Sequence, residues 1–361
     1  MTPPLWGGRD GPMKILVIQM KMIGDVLTSS ILFEALRKEF PEAELHYMIY
    51  EHTSPVVQNN PNIDRFIIPD KNQSLKSVIS NAKKEHYYAI IDVYSNLRTT
   101  LITGLSKAKY RISYDKKYTR PLCTHVFSRK IEVQTNAGAA IEKRLRLLSP
   151  FSDNIPKEIK PKIYLTQEET IFAKAKLKES GIDLSRNLYM IGALGSSEKK
   201  TYPLKYLAKV LDHIVMKTKA NLLFNYIPSQ RNQIKKLYQL CQLKTQNKIH
   251  LDIYGKSLRE FLALTSHCDA LIGNEGGSVN MAKALNVSTF AIFSPPIQKE
   301  NWNIYEDGKH NISVHLRDFD QKIFESKSDK FIKREWHQLY DLFKPELFQE
   351  RLNHFLSINS K

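Results

Sequence analysis

From Lys14 to Phe293 the sequence alternates short, nearly continuous apolar runs with longer amphipathic stretches. No other feature narrows the fold so far. Continuous apolar runs of this length, bounded by turn residues, suit parallel strands buried on both faces. In the first half KILVIQM (14–20), ELHYMIY (44–50), YYAIIDVY (87–94) and a weaker RISY (111–114) read as strands. Helical patterns lie between them. The first opens at Gly24 and Asp25, runs towards Phe40 and stops at Pro41. The rhythm breaks at SPFSDNIPKEIKP (149–161), which carries three prolines, and a helix over 167–180 follows, ended by Gly181. The alternation then restarts, with strands at NLYMIGAL (187–194), ANLLFNY (220–226), DALIG (269–273) and STFAIF (288–293). Its helices fall at 204–217, 229–243, 257–267 and 278–285, and an amphipathic helical tail begins at Arg334.

The expected fold is therefore α/β, with two doubly wound, Rossmann-like domains. A chain of 361 residues agrees with two cores, since single cores stop growing near about 250–300 residues. The expected limits are a leader (1–12), a first domain (13–180), a second (181–330) and a tail (331–361). MTPPLWGGRDGP (1–12) has no periodicity and no signal-peptide core, so it reads as a disordered extension or a start-site artefact. Two such domains in tandem create a cleft between the C-terminal edges of their sheets, where open α/β sheets bind ligands. Functional residues are thus expected in the turns that follow strands.

Three of those turns carry chemistry. The first is QMKMIGDVLTSS (19–30), where Gly24 permits close backbone approach and Asp25 stands at a helix start. Two roles fit Asp25: a helix N-cap, or a carboxylate facing the cleft that accepts a proton from a hydroxyl. The turn lacks the G-x-G-x-x-G fingerprint, which disfavours a dinucleotide enzyme. The second is GALGSSEKKTYP (192–203). Ser196 and Ser197 supply hydroxyls and amides, and Lys199 and Lys200 supply charge just before a helix. Phosphate binding at a helix N-terminus needs these ingredients, although surface loops often hold them too. The third is IGNEGGSVNMAKAL (272–285). Glu275, Gly276, Gly277 and Ser278 lead from a strand into a helix whose dipole favours a diphosphate. A tight turn with a cap is the structural alternative.

Net charge is +17, which implies an anionic partner. Over 71–148 there are 16 Lys plus Arg against 5 Asp plus Glu, a net of +11. Arg98, Lys107, Lys109, Arg111, Lys116, Lys117 and Arg120 are the basic candidates for meeting that partner, with Tyr110, Tyr114 and Tyr118 interleaved. A solvated basic face, a nucleic-acid surface and an anionic inner leaflet account for the same charge. No apolar run reaches the ~18–20 residues that cross a bilayer. Cys123, Cys241 and Cys268 match neither a disulfide framework nor a zinc site; a reducing cytoplasm fits them.

In this order and at these separations, IGDVLTSS (23–30), GSSEKKTYP (195–203), LDIYGKSLREFLALTSHCDALIGN (251–274) and the stretch 274–285 resemble glycosyltransferase family 9. That family includes the heptosyltransferases of the lipopolysaccharide inner core. The resemblance covers nearly the whole chain from Met13. It implies a GT-B fold and an inverting transfer from a nucleotide-diphosphate sugar to a lipopolysaccharide-core or related surface-glycan acceptor. It implies that Asp25 is the base and that Lys200, in KTYP, faces the diphosphate, with Ser196 four residues before it. The family's D-T-G-x-x-H falls on Glu275, Gly276, Gly277 and Asn280. Ile253 and Tyr254, before Gly255, would flank the base. Two residues depart from the pattern: Glu275 replaces an aspartate, and Asn280 replaces a histidine and cannot carry a proton charge. NYIPSQ (225–230) also lacks the usual glycine-rich turn and acidic residue.

The expected partners are a nucleotide sugar and an anionic glycolipid or oligosaccharide, with no cofactor, no metal and no nucleic acid. The expected setting is cytoplasmic, peripheral on the inner membrane. Asp318-Phe319-Asp320 matches the D-x-D of metal-dependent transferases, but it lies late and follows Arg317. A non-catalytic relative that binds a sugar nucleotide or glycolipid is the alternative left by Glu275 and Asn280.

Overall fold

A computed structural model describes residues 12–70 and 72–361. Of the expected leader only Pro12 lies among them. The chain forms two compact units, the first ending at Tyr164 and the second running from Leu165 to Lys361.

The first unit holds a parallel sheet of six strands: β1 Lys14–Ile18, β2 Glu44–Met48, β3 Arg65–Ile67, β4 Ala89–Asp92, β5 Tyr110–Tyr114 and β6 His125–Phe127. Their order is β3-β2-β1-β4-β5-β6. The second unit holds β7 Leu188–Gly192, β8 Asn221–Phe224, β9 Ile249–His250, β10 Ala270–Asn274, β11 Ser288–Ile292 and β12 Asn311–Val314. Their order is β12-β11-β10-β7-β8-β9. Counted from its own first strand, the second sheet repeats the topology of the first. Both have the doubly wound order, with switch points between β1 and β4 and between β7 and β10. The two-domain α/β expectation is met.

The four central strands of each sheet are those read from the sequence. The four others, β3, β6, β9 and β12, are the sheet edges. Edge strands are kept short and are covered less completely, so RFI, HVF and IH show no apolar run. The central strands do: Ile15 to Ile18, Ala89 to Ile91 and Ala270 to Ile272 are all fully buried.

The helix expected from Gly24 to Phe40 is two helices, Ile23–Ser29 and Ile31–Glu39, meeting at Ser30. Thr28, Ser29 and Ser30 donate their hydroxyls back to the carbonyls of Gly24, Asp25 and Leu27. Such back-bonding bends a helix without ending it, and Ser30 keeps helical angles.

The helix Gln167–Glu179 belongs to the second unit, although the sequence places the domain limit after it. Thr166 and Glu169 form a capping box at its start, and Glu169 and Lys176 pair with Arg259 and Glu260 of the second unit. Nor is the tail separate. Tyr340, Phe343, Phe348 and Phe355 join the core built on Tyr202 and Phe290. An amphipathic pattern reveals that a helix has a buried face, but not which domain covers it.

Candidate functional site

In the second unit the turns after β7 and β10 come together at the switch point. β7 and β10 pair through Gly192 and Gly273. Gly273 has φ 140°, and a Cβ there would lie 2.4 Å from the Gly192 oxygen, so neither backbone nor neighbour leaves room for a side chain. Asn274, buried at the end of β10, donates to the Gly192 and Ala193 carbonyls at 2.9 Å each and accepts from the Tyr202 amide at 2.6 Å. One side chain thus ties both ends of the Ala193–Tyr202 turn to the neighbouring strand. The turn folds tightly on itself: a Cβ on Gly195 would meet the Lys200 oxygen at 2.2 Å. The tail braces it from behind, because Tyr340 donates to the Lys199 carbonyl at 3.1 Å and Tyr202 to that of Phe343 at 2.6 Å. Asn274 and the tail were not singled out in the sequence; only pairing across strands gives them their roles.

This scaffold leaves Ser196, Ser197 and Lys199 exposed. Lys200, 38% exposed, lies with its Nζ 3.4 Å from Glu275 Oε1. That oxygen is buried and makes no hydrogen bond, so the contact is an ion pair without hydrogen-bond geometry. Gly276, at φ 152°, caps the helix Gly277–Ala284. The first-turn amides of that helix are those left without intrahelical partners, and Ser278 and Asn280 lie half-buried on it. Beside the β7 turn a cavity of about 410 Å³ is lined by Ser196, Ser197, Glu198, Gln230, Trp336 and His337. Gln230 stands in the segment that departs from the family pattern; its side chain accepts from the Ile227 amide.

Tyr254 is half-exposed beyond β9, with its ring 4.8 Å from that of Tyr226, while Ile253 is buried. A Cβ on Gly255 would lie 2.4 Å from the Phe261 amide nitrogen, which fixes the turn that presents Tyr254. Of the two residues expected to flank a base, Tyr254 is the accessible one.

In the first unit Asp25 follows β1 on the helix Ile23–Ser29, whose N-cap is Met22. The Asp25 side chain makes no cap. It is 8% exposed, with Oδ1 at 3.3 Å from Arg144 Nη2 and 3.4 Å from Lys21 Nζ. Arg144, equally buried, also donates to Ser29 Oγ at 2.8 Å and to the Ala140 carbonyl at 2.5 Å. Gln19 donates to the same Ser29 hydroxyl at 3.0 Å. A carboxylate held by cations rather than by helix amides can still accept a proton from a substrate. Of the two roles read for Asp25, the N-cap is not the one its side chain takes.

The basic candidates do not form one surface. Lys107, Lys109, Tyr110 and Arg111 stand at or before the start of β5, whereas Tyr114 to Arg120 stand at or after its end. A five-residue strand separates the two groups by about 13 Å, and in a parallel sheet Asp25 shares the edge of the second group. Arg111 is committed to the Leu122 and Ala108 carbonyls, and Arg120 to both oxygens of Asp115. Lys109 lies over the rings of Tyr88 and Tyr110. Lys107 is exposed and has φ 67°. On Asp25's edge Lys116 donates to the Ser95 carbonyl at 2.5 Å, as does Tyr118 at 2.9 Å. Lys117 is exposed there, and Arg98 reaches the Gln73 carbonyl.

The D-x-D carboxylates serve the fold. Asp318 pairs with Lys299 and Arg351, and Asp320 caps the helix Gln321–Ser326. Among the described residues no helix is long and apolar enough to cross a membrane.

Comparison with known proteins agrees with the motifs. The family model described as "Glycosyltransferase family 9 (heptosyltransferase)" matches residues 76–330. The sequence is 24% identical to "Lipopolysaccharide heptosyltransferase 1" of Campylobacter coli over 78% of this chain and 84% of that protein. Among solved structures the fold is similar to a family 9 glycosyl transferase from Veillonella parvula, at TM-score 0.71 and 19% identity, over 91% of this chain and 97% of that one. It is similar also to the ADP-heptose lps heptosyltransferase II of E. coli, at TM-score 0.72 and 15% identity, over 96% and 99%.

Proposed function

The chain belongs to glycosyltransferase family 9, the heptosyltransferase family, and from that premise we propose a specific reaction for it. It is a glycosyltransferase that moves a heptose or a related hexose-like sugar from a nucleotide diphosphate to a lipopolysaccharide-core or related surface glycan. The anomeric centre inverts and no metal takes part. The observation that carries this reading is the second unit's switch point. There Lys200, the serines of the β7 turn and the free amides at Gly277 and Ser278 share one sheet edge with a buried carboxylate, Glu275.

Those groups divide the donor between them. Lys200, Ser196, Ser197 and the helix amides bind the diphosphate, and Lys199 adds field. Glu275 Oε1 accepts a hydrogen bond from a hydroxyl of the ribose or the sugar, which gives a buried, unbonded oxygen its partner. Asn280 donates to the same region, and Tyr254 stacks on the base. In the reaction the acceptor hydroxyl attacks the anomeric carbon and Asp25 takes its proton. The bond from that carbon to the diphosphate oxygen breaks, and Lys200 with the helix amides stabilises the departing charge. Two cationic and dipolar anion stabilisers do the work that a divalent metal does elsewhere. The likeness to ADP-heptose enzymes makes ADP the first nucleotide to try.

A thermal-shift and calorimetric screen of nucleotides and nucleotide sugars, in EDTA, tests this on the wild type and Lys200→Ala. Ligands of the folded state raise its melting temperature. A selective response to an ADP sugar that Lys200→Ala abolishes supports the reading. No response to any nucleotide, or binding that appears only when Mg²⁺ or Mn²⁺ is restored, sinks it.

A further inference from the structure

One loop of the second unit is fastened both to the β7 turn and to the helix that follows β10. It runs from Ser294, just past β11, to Ile304. At its start Ser294 Oγ donates to the Lys199 carbonyl at 2.5 Å. At its end Lys283 Nζ donates to the Ile304 carbonyl at 2.5 Å and to Asn303 Oδ1 at 3.2 Å. Lys283 is buried on the helix Gly277–Ala284. A buried ammonium is costly unless its protons are bonded, so the loop cannot leave this helix cheaply. Asn303 donates in turn to Glu306 and to Ser313 of β12, and His315 donates to the Pro295 carbonyl at 3.2 Å. The loop thus keeps a fixed register to the turn that bears Lys200 and to the helix amides beside it.

Fastening employs Ser294, Asn303 and Ile304. Between those ends Gln298, Asn301 and Trp302 are exposed. Asn301 donates to Gln298 Oε1 at 2.7 Å, which sets the two amides side by side. With Arg317 and Asp329 the three line a cavity of about 260 Å³. Pockets for drug-sized ligands run from about 300 to 1,000 Å³, so this one suits a single sugar ring and not a whole nucleotide. An indole offers surface to the C–H groups of such a ring, and amides both donate to and accept from its hydroxyls.

Strand order relates this cavity to the donor. The second sheet runs β12-β11-β10-β7-β8-β9. With the base at Tyr254 beyond β9 and the diphosphate at β7 and β10, the donor follows the C-terminal edge of the sheet. From β9 to β10 is three strand spacings, about 14 Å. The group beyond the diphosphate then arrives over β11, where this loop begins. We propose that the cavity after β11 receives the transferred sugar, and that Gln298, Asn301 and Trp302 select it. This rests on the donor reading above and goes further, since it names the residues that tell one sugar from another on the same nucleotide. Amides that bond particular hydroxyls reject a sugar that lacks or misplaces them.

Calorimetric titration of the full chain tests the subsite. The probes are ADP, ADP-heptose and ADP-glucose, GDP and GDP-mannose, and UDP and UDP-glucose. Gln298→Ala and Trp302→Ala should each weaken the preferred nucleotide sugar about tenfold, the loss of one good contact. Neither should change affinity for the bare nucleotide, and Gln298→Ala should narrow the preference between two sugars on one nucleotide. Lys200→Ala, by contrast, should weaken nucleotide and nucleotide sugar together. Both loop residues are exposed, so the melting temperatures should stay at the wild-type value. Equal losses for the nucleotide and its sugar in these two variants, or wild-type affinity for every nucleotide sugar in both, overturn the subsite and leave the donor reading in place. A wild type that binds none of the probes removes the donor reading, and the subsite with it.

Discussion

Arg144 Nη2 lies 3.3 Å from Asp25 Oδ1, and both side chains are more than nine-tenths buried. A buried carboxylate with a guanidinium beside it is held in one rotamer and shielded from bulk water. As a general base Asp25 should account for about 10²–10⁴ of turnover. Asp25→Asn keeps the volume and removes the proton acceptor. It should lose that factor in steady-state sugar transfer, with donor affinity by calorimetry unchanged. Wild-type turnover in this variant would leave Asp25 as an ion-pair residue only.

Arg144 orients Asp25 and touches no reacting atom in this scheme. Arg144→Met leaves the buried carboxylate with Lys21 as its remaining cation, and breaking a buried pair costs up to about 3–5 kcal/mol. Urea unfolding should show a loss of that order. Arg144→Lys keeps the charge but not the fork to Ser29 and Ala140, and should lower kcat more than it raises acceptor KM.

Asn274 makes three buried hydrogen bonds at the second switch point. Asn274→Ala leaves three backbone groups without partners, each costing about 1–3 kcal/mol when buried. The expected result is a total loss of about 3–9 kcal/mol in chemical denaturation and a weaker donor response, though the Asn274 side chain bonds only to backbone. Unchanged donor affinity would mean that the β7 turn holds its shape without this tie.

Asp92 ends β4 at the first switch point and is fully buried, with Oδ2 unbonded and Oδ1 accepting from the Ser95 amide at 2.8 Å. Burial pushes its carboxyl up to about 7, against the pull of Ser95, Thr99 and Lys116. Because the folded pKa is raised, its contribution is fully present below the unfolded pKa, about 3.9, and is lost as pH rises through about 7. Stability should therefore fall across this window by up to about 4 kcal/mol from this group. Urea midpoints at pH 5 and pH 8 measure it. Asp92→Asn should flatten the difference, and an unaltered difference would assign the slope to other groups.

How much was legible from residues alone depends on where in the sheet they sit. The eight central strands were readable because each is buried on both faces and so must be a continuous apolar run. The four edge strands were not: β3, β6 and β9 are too short or too exposed to need such a run, and β12, though buried, is only four residues with two of them polar. The turns bearing Lys200 and Glu275 were readable as tight turns after central strands, because close backbone approach demands glycine at fixed places, as at Gly195 and Gly273. The sequence by itself determined two doubly wound sheets and which turns follow their central strands. Only the tertiary structure decided which side chains meet there. Arg144 reaches Asp25 across 119 residues, and Asn274 reaches Gly192 across 82. The structure also sets Lys107, Lys109 and Arg111 at the opposite end of β5 from the edge that bears Asp25. The physical reason is that a parallel sheet sorts residues by strand end: neighbours along the chain part to opposite edges, and distant turns converge on one.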